Sequence, residues 1–222
     1  TGTTSTTLNG TSYLTAGGTF GVTGPALLGT GATIDTTNSG GTPAGANISF
    51  STTINNAQTL SLVGGTAGAI TVSGIVGGTT PLTSFTANAN TISTVGVRTT
   101  GLQSYTAPTS STFNGTYTTT VGAGGTFTVT GPALLAGASS VTTTNANISF
   151  SSTINNGQTL SLAAGTGAVT ITGTTGATTA LTSLTASGNT IAVNNVRTTG
   201  TQSYTGTTST TFNGTSYLTA GN

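Results

Sequence analysis

NISFSSTINNGQTLSL at residues 147–162 repeats, with two substitutions, NISFSTTINNAQTLSL at residues 47–62. Both stretches alternate apolar and polar residues, as in Ile148-Ser-Phe150. Alternation with a period of two is typical of a β-strand that buries one face. The Asn-Asn pair between the alternating segments has the composition of a tight turn. The stretch therefore predicts short strands that are joined by turns.

The repetition extends over the whole chain. VRTTGLQSYT at 97–106 returns as VRTTGTQSYT at 196–205, and the opening TGTTSTTLNGTSYLTAGG returns at the end with two substitutions. Long internal repeats of this kind indicate a repeat architecture. We divide the sequence into unit 1 (1–105), unit 2 (106–204) and the start of a third unit (205–222), within one continuous solenoid.

A finer period lies inside each unit, where large hydrophobic residues recur every 21 or 22 positions. The two series are Ile48, Ile70, Ile92 and Phe113, and Ile148, Val169, Ile191 and Phe212. Leu160, Leu181 and Gln202 follow the same spacing. One step is shorter, because Phe127 follows Phe113 by only 14 positions.

A period near 21 that is made of short strands and turns is the length of one coil of a parallel β-helix. Residues that point inward then stack on their equivalents in the next coil, which explains why the same residue types return. We predict an all-β fold, a parallel β-helix (β-solenoid) of about ten coils of roughly 21 residues. An antiparallel sandwich also has short strands every 8–12 residues, but it does not require one residue type to return at a fixed spacing.

Charge is almost absent, since only Asp35, Arg98 and Arg197 carry it. The chain has no His, Lys, Glu or Cys, and Asp35 is replaced by Thr142 in unit 2. Nucleophilic and acid–base catalysis need a base near the nucleophile, and metal sites need several carboxylate, imidazole or thiolate ligands. We therefore expect no enzyme, no metal site and no cofactor.

The same composition speaks against two classes of partner. Nucleic-acid binding needs clustered Lys and Arg, whereas the net charge is +1. A membrane span needs about 20 consecutive apolar residues, and the sequence has no such run. We expect neither nucleic-acid binding nor membrane insertion.

The run NISFSSTINNGQTLSLAAGTGAVTITGTTGATTALTSLTASGNTIAVNNVRTTGTQSYTGTTSTTFNGT at 147–215 resembles the tandem repeats of filamentous-haemagglutinin-like and autotransporter-like giant surface proteins of bacteria. Shared elements are the alternating strand, a TLSL-like strand, a Gly-rich turn, an LTSL strand and a TTGxQxY element. The resemblance implies a right-handed parallel β-helix, secretion to the cell surface and no catalysis in the repeats. The near absence of charge departs from that family.

Arg98 and Arg197 occupy equivalent places in the two units, each seven residues before a tyrosine, Tyr105 or Tyr204. One interpretation is a solvated corner residue, or a guanidinium that donates to backbone carbonyls. The other is a recurrent contact with a neighbouring chain or a glycan, since Arg and Tyr are favoured at interfaces. On the second interpretation these four residues are the candidate contact site, and Arg-to-Ala changes at both positions should abolish lateral association.

The leading functional prediction is a non-catalytic building block of an extracellular bacterial filament, fibre or adhesin stalk, at the cell surface or secreted. No capping motif is visible near Thr1 or Asn222, and we expect the strand edges to continue into copies of the chain or further repeats, end to end and in lateral contact. Surface glycans are a further expected partner. The alternative prediction is a binding module that recognises ice or carbohydrate through a face rich in Thr and Asn, because Thr supplies 62 of the 222 residues.

Overall fold

The computed structural model describes residues 4–122 and 124–220. Across these residues the protein is all-β with no helix, and its parallel strands stack as a β-solenoid of about 10 turns roughly 22 residues apart. This confirms the predicted fold class, and its right-handed sense stays a prediction. In the described part of the chain, no helix is long and apolar enough to span a membrane.

The described part of the chain contains twenty-one strands. A strand is short where the strand pairing stops at a corner of the coil, and it is long where the pairing continues around the corner. In chain order they are β1 (Thr6–Leu8), β2 (Ser12–Leu14), β3 (Phe20–Val22), β4 (Ala26–Leu28), β5 (Ala32–Asp35), β6 (Ile48–Phe50), β7 (Ile54–Asn55), β8 (Thr59–Val72), β9 (Ser84–Thr99), β10 (Gln103–Thr106), β11 (Ser110–Thr119), β12 (Phe127–Thr130), β13 (Ala133–Thr143), β14 (Ile148–Phe150), β15 (Ile154–Asn155), β16 (Thr159–Ala163), β17 (Ala168–Ile171), β18 (Ser183–Val193), β19 (Val196–Thr198), β20 (Gln202–Phe212) and β21 (Tyr217–Thr219).

Each coil has three strand segments, so the rod has three faces. In the coil that begins at Ile48, the first large side chain that points inward on each face is Ile48, Ile54 or Leu60. We name the faces after these residues: the Ile48 face, the Ile54 face and the Leu60 face. On each face the register is parallel, and Ile48 lies next to Ile70 of the following coil, as Leu60 lies next to Phe85. Strands β8 and β9 turn a corner, and each therefore contributes to more than one face.

The predicted vertical stacking is confirmed at its central positions. Ile148 pairs with Val169, and Val169 pairs with Ile191, in three successive coils. In unit 1, Ile70 likewise lies between Ile48 and the next isoleucine of the series. All of these side chains are buried. Alternation places them inside because every second side chain of a strand points to the same face.

The predicted series are wrong at their outer members. Ile92 pairs with Ser111, and Phe113 lies beside Thr94. In unit 2 the same shift occurs, because Phe212 lies beside Val193 and not beside Ile191.

The series through Leu160 is wrong as well, since Leu160 pairs with Leu184 and not with Leu181. Coil lengths explain these errors. A coil takes 19 residues from Ile92 to Ser111, but 25 from Leu60 to Phe85. A spacing of 21 or 22 residues along the sequence therefore no longer matches the pairing of the strands wherever a corner of the coil has more or fewer residues than usual. The 14-residue step between Phe113 and Phe127 joins two different faces.

The middle of the rod has an aromatic interior. Tyr105 packs against Phe113, Tyr117 and Phe127, with ring centroids 5.1 to 6.2 Å apart. Most of these pairs are edge-to-face or tilted, the geometries that aromatic rings prefer. Phe127 continues the contact to Phe150 in the next coil. These coils bury the largest side chains of the protein, and a large-to-small change there would leave a cavity.

One sequence unit is not a whole number of coils. On the Leu60 face, successive coils carry Leu60, Phe85, Gln103, Phe127 and Ile148. Ile148, the equivalent of Ile48, therefore lies four coils and two further faces along the rod. At the spacing of neighbouring strands, equivalent residues of successive units are therefore about 22 Å apart along the axis of the rod. They are also rotated around that axis by two of the three faces. The boundaries at 105/106 and 204/205 fall inside β10 and β20, so the rod runs through them without interruption.

Candidate functional site

The VRTTGxQSYT segment builds a buried polar clamp at a corner of the rod. The Gln103 side-chain amide donates to the carbonyl oxygens of Val97 (3.0 Å) and Thr118 (2.9 Å), and lies 3.3 Å from Thr99 Oγ1. Its amide oxygen accepts a hydrogen bond from the Tyr105 hydroxyl at 3.0 Å. Gln103, Thr99 and Tyr105 have no exposed surface. The clamp joins two coils because Val97 and Thr118 belong to successive turns.

The second unit repeats this clamp in a more open setting. Gln202 donates to Leu218 O at 2.8 Å and to Val196 O at 3.4 Å, and the Tyr204 hydroxyl donates to Gln202 Oε1 at 3.0 Å. Here Gln202 and Tyr204 are half-buried. The recurrence of this motif follows from its structural role, since buried amide and hydroxyl groups need partners.

The environment of the tyrosines favours their neutral form. Burial raises the pKa of Tyr105 well above its usual range, and the nearby Tyr117 raises it further. Burial also raises the pKa of Tyr117, although hydrogen bonds with Thr94 and backbone groups oppose the change. For Tyr204, burial and the neighbouring Tyr217 raise the pKa to about 12. None of these hydroxyls is an activated nucleophile at neutral pH.

Arg98 leaves β9 on the outer side of the Ile54 face, between the inward residues Val97 and Thr99. Its guanidinium donates to the carbonyl oxygen of Gly78 at 3.0 Å. It lines an open surface pocket of about 260 Å³ together with Ile75, Val95, Gly96, Gly115 and Thr116. The backbone of this region requires Gly77, whose φ is +69° and where a Cβ would lie 2.2 Å from Arg98 O.

Arg197 lines an equivalent pocket in the second unit. This pocket measures about 210 Å³ and is bounded by Thr174, Ala177, Asn195, Val196, Arg197, Ser216 and Leu218. Gly176, with φ +74°, repeats the close approach to the arginine carbonyl oxygen at 2.2 Å. Val196 lies on the Ile48 face, because it pairs with Thr175 of the preceding coil. The residues that pair coil by coil before Thr175 are Ile154, Ala133 and Ser111. The two arginine pockets therefore open on different faces of the rod.

The structure thus separates the four candidate contact residues. Arg98 and Arg197 are exposed, whereas Tyr105 lies wholly inside and Tyr204 is half-buried. Of these four residues, the two arginines are the ones with exposed side chains, and each has a surface pocket beside it. Sequence reasoning missed Gln103 and Gln202 as the centre of the clamp. The alternation in Gln103-Ser-Tyr105 was the available signal, since it matches the inward pattern of Ile-Ser-Phe.

Asp35 organises a corner loop that unit 2 lacks. Asp35 and Asn47 are 12 positions apart, whereas Thr142 and Asn147 are 5 apart, so the loop is seven residues longer in unit 1. Asp35 Oδ1 accepts hydrogen bonds from the backbone N–H and hydroxyl of Thr37, both at 2.6 Å, and Oδ2 accepts one from Ser39 N at 2.9 Å. Burial raises the pKa of the carboxyl, but these hydrogen bonds outweigh it and hold the pKa below its usual value.

The described residues contain no group of three or more His, Cys, Asp or Glu side chains that could hold a metal ion. The acidic residue Asp35 lies in its own loop with both oxygens occupied. What the arginine pockets offer chemically is recognition: a guanidinium with several free donors beside exposed aliphatic surface.

Comparison of the chain with protein-family models, with curated proteins and with solved structures gives no match. The likeness to filamentous-haemagglutinin-like and autotransporter-like repeats therefore stays an expectation from the sequence.

Proposed function

We propose that this protein is a non-catalytic structural building block of an extracellular bacterial filament, fibre or adhesin stalk. The observation that carries the proposal is the unbroken stack of parallel coils, whose ladder crosses both sequence-unit boundaries inside strands β10 and β20. In such a rod each coil is stabilised mainly by its two neighbours. Stiffness along the axis is the property that this arrangement supplies.

The side-chain chemistry supports a role that does not depend on ionisation. The interior consists mainly of Ile, Leu, Val, Ala and aromatic residues, and the polar outside consists mainly of hydroxyls and amides. Without His, Lys, Glu or Cys, neither pH changes near neutrality nor redox changes alter the charge of the side chains. Such constancy suits a component that lies outside the cell.

Extension of the rod needs no new kind of contact. A coil presents backbone N–H and C=O groups along its edge, and the next coil pairs with them in parallel register. The partners we propose are further repeats of the same chain, or copies of it, stacked end to end. Lateral contacts and surface glycans add a second set of partners through the outer faces.

Electron microscopy and fibre diffraction of the native material test the structural role. We expect unbranched rods with an axial repeat of about 4.8 Å, the spacing of neighbouring strands. Antibodies against the 222-residue chain should label intact bacteria. Compact particles without an axial repeat, or labelling only after the cells are permeabilised, would contradict the proposal.

A second candidate function, recognition of ice or carbohydrate, is favoured by a column of hydroxyl groups on the outside of the Leu60 face. From coil to coil this column contains Ser12, Thr33, Ser61, Thr86, Ser104, Thr128, Ser149 and Thr170; Ala192 then interrupts it, and Thr211 follows in the next coil. Neighbouring members are about 4.8 Å apart. Thermal hysteresis of the purified chain tests ice binding. Replacing Thr128 and Thr170 by leucine should abolish any hysteresis, and its absence from the unmodified chain would remove ice from this candidate.

A further inference from the structure

We propose that the two arginine pockets bind carboxylate groups of an acidic polysaccharide, and that successive repeats present these pockets on successive faces of the rod. The inference goes beyond the structural role, because a rod without any ligand would serve as a filament equally well. It rests on four features of the pockets: their recurrence, their charge, their size and lining, and their orientation.

The pockets recur at equivalent positions although their linings differ. Arg98 and Arg197 are common to both, while Gly96 is replaced by Asn195. In each pocket a large aliphatic side chain stands in solvent beside the arginine. These are Ile75, which is 47% exposed, and Leu218, which is 55% exposed.

The guanidinium is available to an anion. Arg98 uses Nη1 for a hydrogen bond to Gly78 O, which leaves most of its five N–H donors free. A carboxylate is the group that matches the planar guanidinium best, because two parallel N–H···O bonds can form. The single acidic residue of the chain, Asp35, has both oxygens occupied by Thr37 and Ser39.

The charge inventory speaks against a second copy of this chain as the occupant. A copy would bring another pair of arginines and the same occupied Asp35, so it has no free side-chain carboxylate to offer. Burying Arg98 against such a surface would remove a charge from water without a counter-ion, which is costly. The side chains of a copy therefore do not supply the anion, and the occupant that we propose is a molecule of different composition.

The size and lining of the pockets favour a sugar over a larger group. At about 260 and 210 Å³ they lie below the range of 300 to 1,000 Å³ that is usual for drug-sized ligands. One monosaccharide unit is a compact ligand with an apolar ring face and several hydroxyls. The exposed Ile75 or Leu218 would contact the ring, and Thr116 or Ser216 would meet its hydroxyls.

The orientation of the pockets decides how a polymer would be held. Arg98 lies on the Ile54 face and Arg197 on the Ile48 face, about 22 Å further along the axis. A straight polymer lying on one face would reach one of these two pockets only. The 222-residue chain should therefore bind two separate short oligosaccharides and not one that bridges both sites.

Isothermal titration calorimetry with a tetramer of galacturonic acid tests the proposal on the full 222-residue chain. We expect two sites per chain, one site in R98Q or R197Q, and none in the double variant. Loss of a guanidinium–carboxylate pair should weaken binding at that pocket by about tenfold or more. The carboxyl-reduced tetramer, which lacks the charge, should not bind.

Two controls separate a pocket from simple attraction by charge. The variant R98Q/T130R keeps the net charge but moves the arginine to an exposed position on the Leu60 face. It should retain only the Arg197 site, and full binding by this variant would refute a built pocket. An oligomer of glutamic acid supplies carboxylates without sugar rings, and equal binding of that oligomer would refute the assignment to a polysaccharide. None of these outcomes bears on whether the rod forms, which circular dichroism and microscopy report separately.

Discussion

The clamp at Gln103 allows a quantitative test of what holds neighbouring coils together. Replacing Gln103 by leucine keeps the volume similar but removes the donors to Val97 O and Thr118 O and the acceptor for the Tyr105 hydroxyl. A buried polar group that loses its partner costs about 1–3 kcal/mol, and backbone carbonyls can recover part of that through other donors. We therefore expect Gln103→Leu to lower the free energy of unfolding by about 2–4 kcal/mol.

The second copy of the motif supplies the matched control. Gln202 makes the same contacts, but it and Tyr204 are half-buried, and Leu218 is exposed. Water can replace the lost partners there, so Gln202→Leu should cost less than about 1 kcal/mol.

Urea unfolding gives the overall free-energy change, and hydrogen exchange of the β9, β10 and β11 amides shows whether the loss is local. Both readouts are needed because long repeat arrays need not unfold in a single step. Equal losses in the two variants, or no loss in Gln103→Leu, would refute the reasoning that burial gives the clamp its strength.

Three predictions concern pH. Between about pH 5 and pH 9 the urea midpoint should stay flat, because no side chain of the chain titrates there. The pKa of Asp35 is lower in the folded protein than in the unfolded chain, where it is about 3.9. Asp35 therefore stabilises the fold above that pH, and the stabilisation is lost as the pH falls through the folded pKa. Asp35→Asn should abolish the acid dependence of amide hydrogen exchange in the loop 36–46. Folding raises the pKa of Tyr204 to about 12, from about 10 in the unfolded chain. The free energy of unfolding should therefore fall as the pH rises from about 10 towards 12, and Tyr204→Phe should weaken that fall. A Tyr204→Phe variant with the same alkaline profile as the unmodified chain would contradict the raised pKa.

The sequence predicted the architecture but not the phase of its coils. Alternating residues and a period near 21 were sufficient for the parallel stack and for the column Ile148, Val169 and Ile191. Phe113, at the end of its series, and Leu181, in the series through Leu160, were misplaced because corners differ in length, and spacing along the chain does not reveal which corner absorbs a residue. Turns tolerate such insertions at little cost, whereas strands do not.

The candidate site was predictable only in part. Arg98 and Arg197 are exposed, as residues that alternate with buried neighbours should be. The burial of Tyr105 was less evident, because a tyrosine near an arginine is typical of interfaces as well as of cores. What decided its position was Gln103, whose amide gives the hydroxyl a partner inside the rod. Buried polar networks of this kind depend on contacts between coils, and a single alternating strand does not show them.

The mismatch between sequence unit and coil has a consequence for any function of the outer surface. With four and two-thirds coils per unit, equivalent residues return to the same face only after three units, about 67 Å along the axis. A patch that one unit carries, such as the pocket beside Arg98, therefore appears on all three faces of a longer array. A unit of five whole coils would instead place every copy in one row, as a single flat binding face requires. The rotation consequently favours a rod that meets partners from every side over one that lies flat on a surface. Inserting one strand segment and its turn between the units, after Thr106, should align Arg98 and Arg197 on one face and convert separate binding into bridging by a longer oligosaccharide.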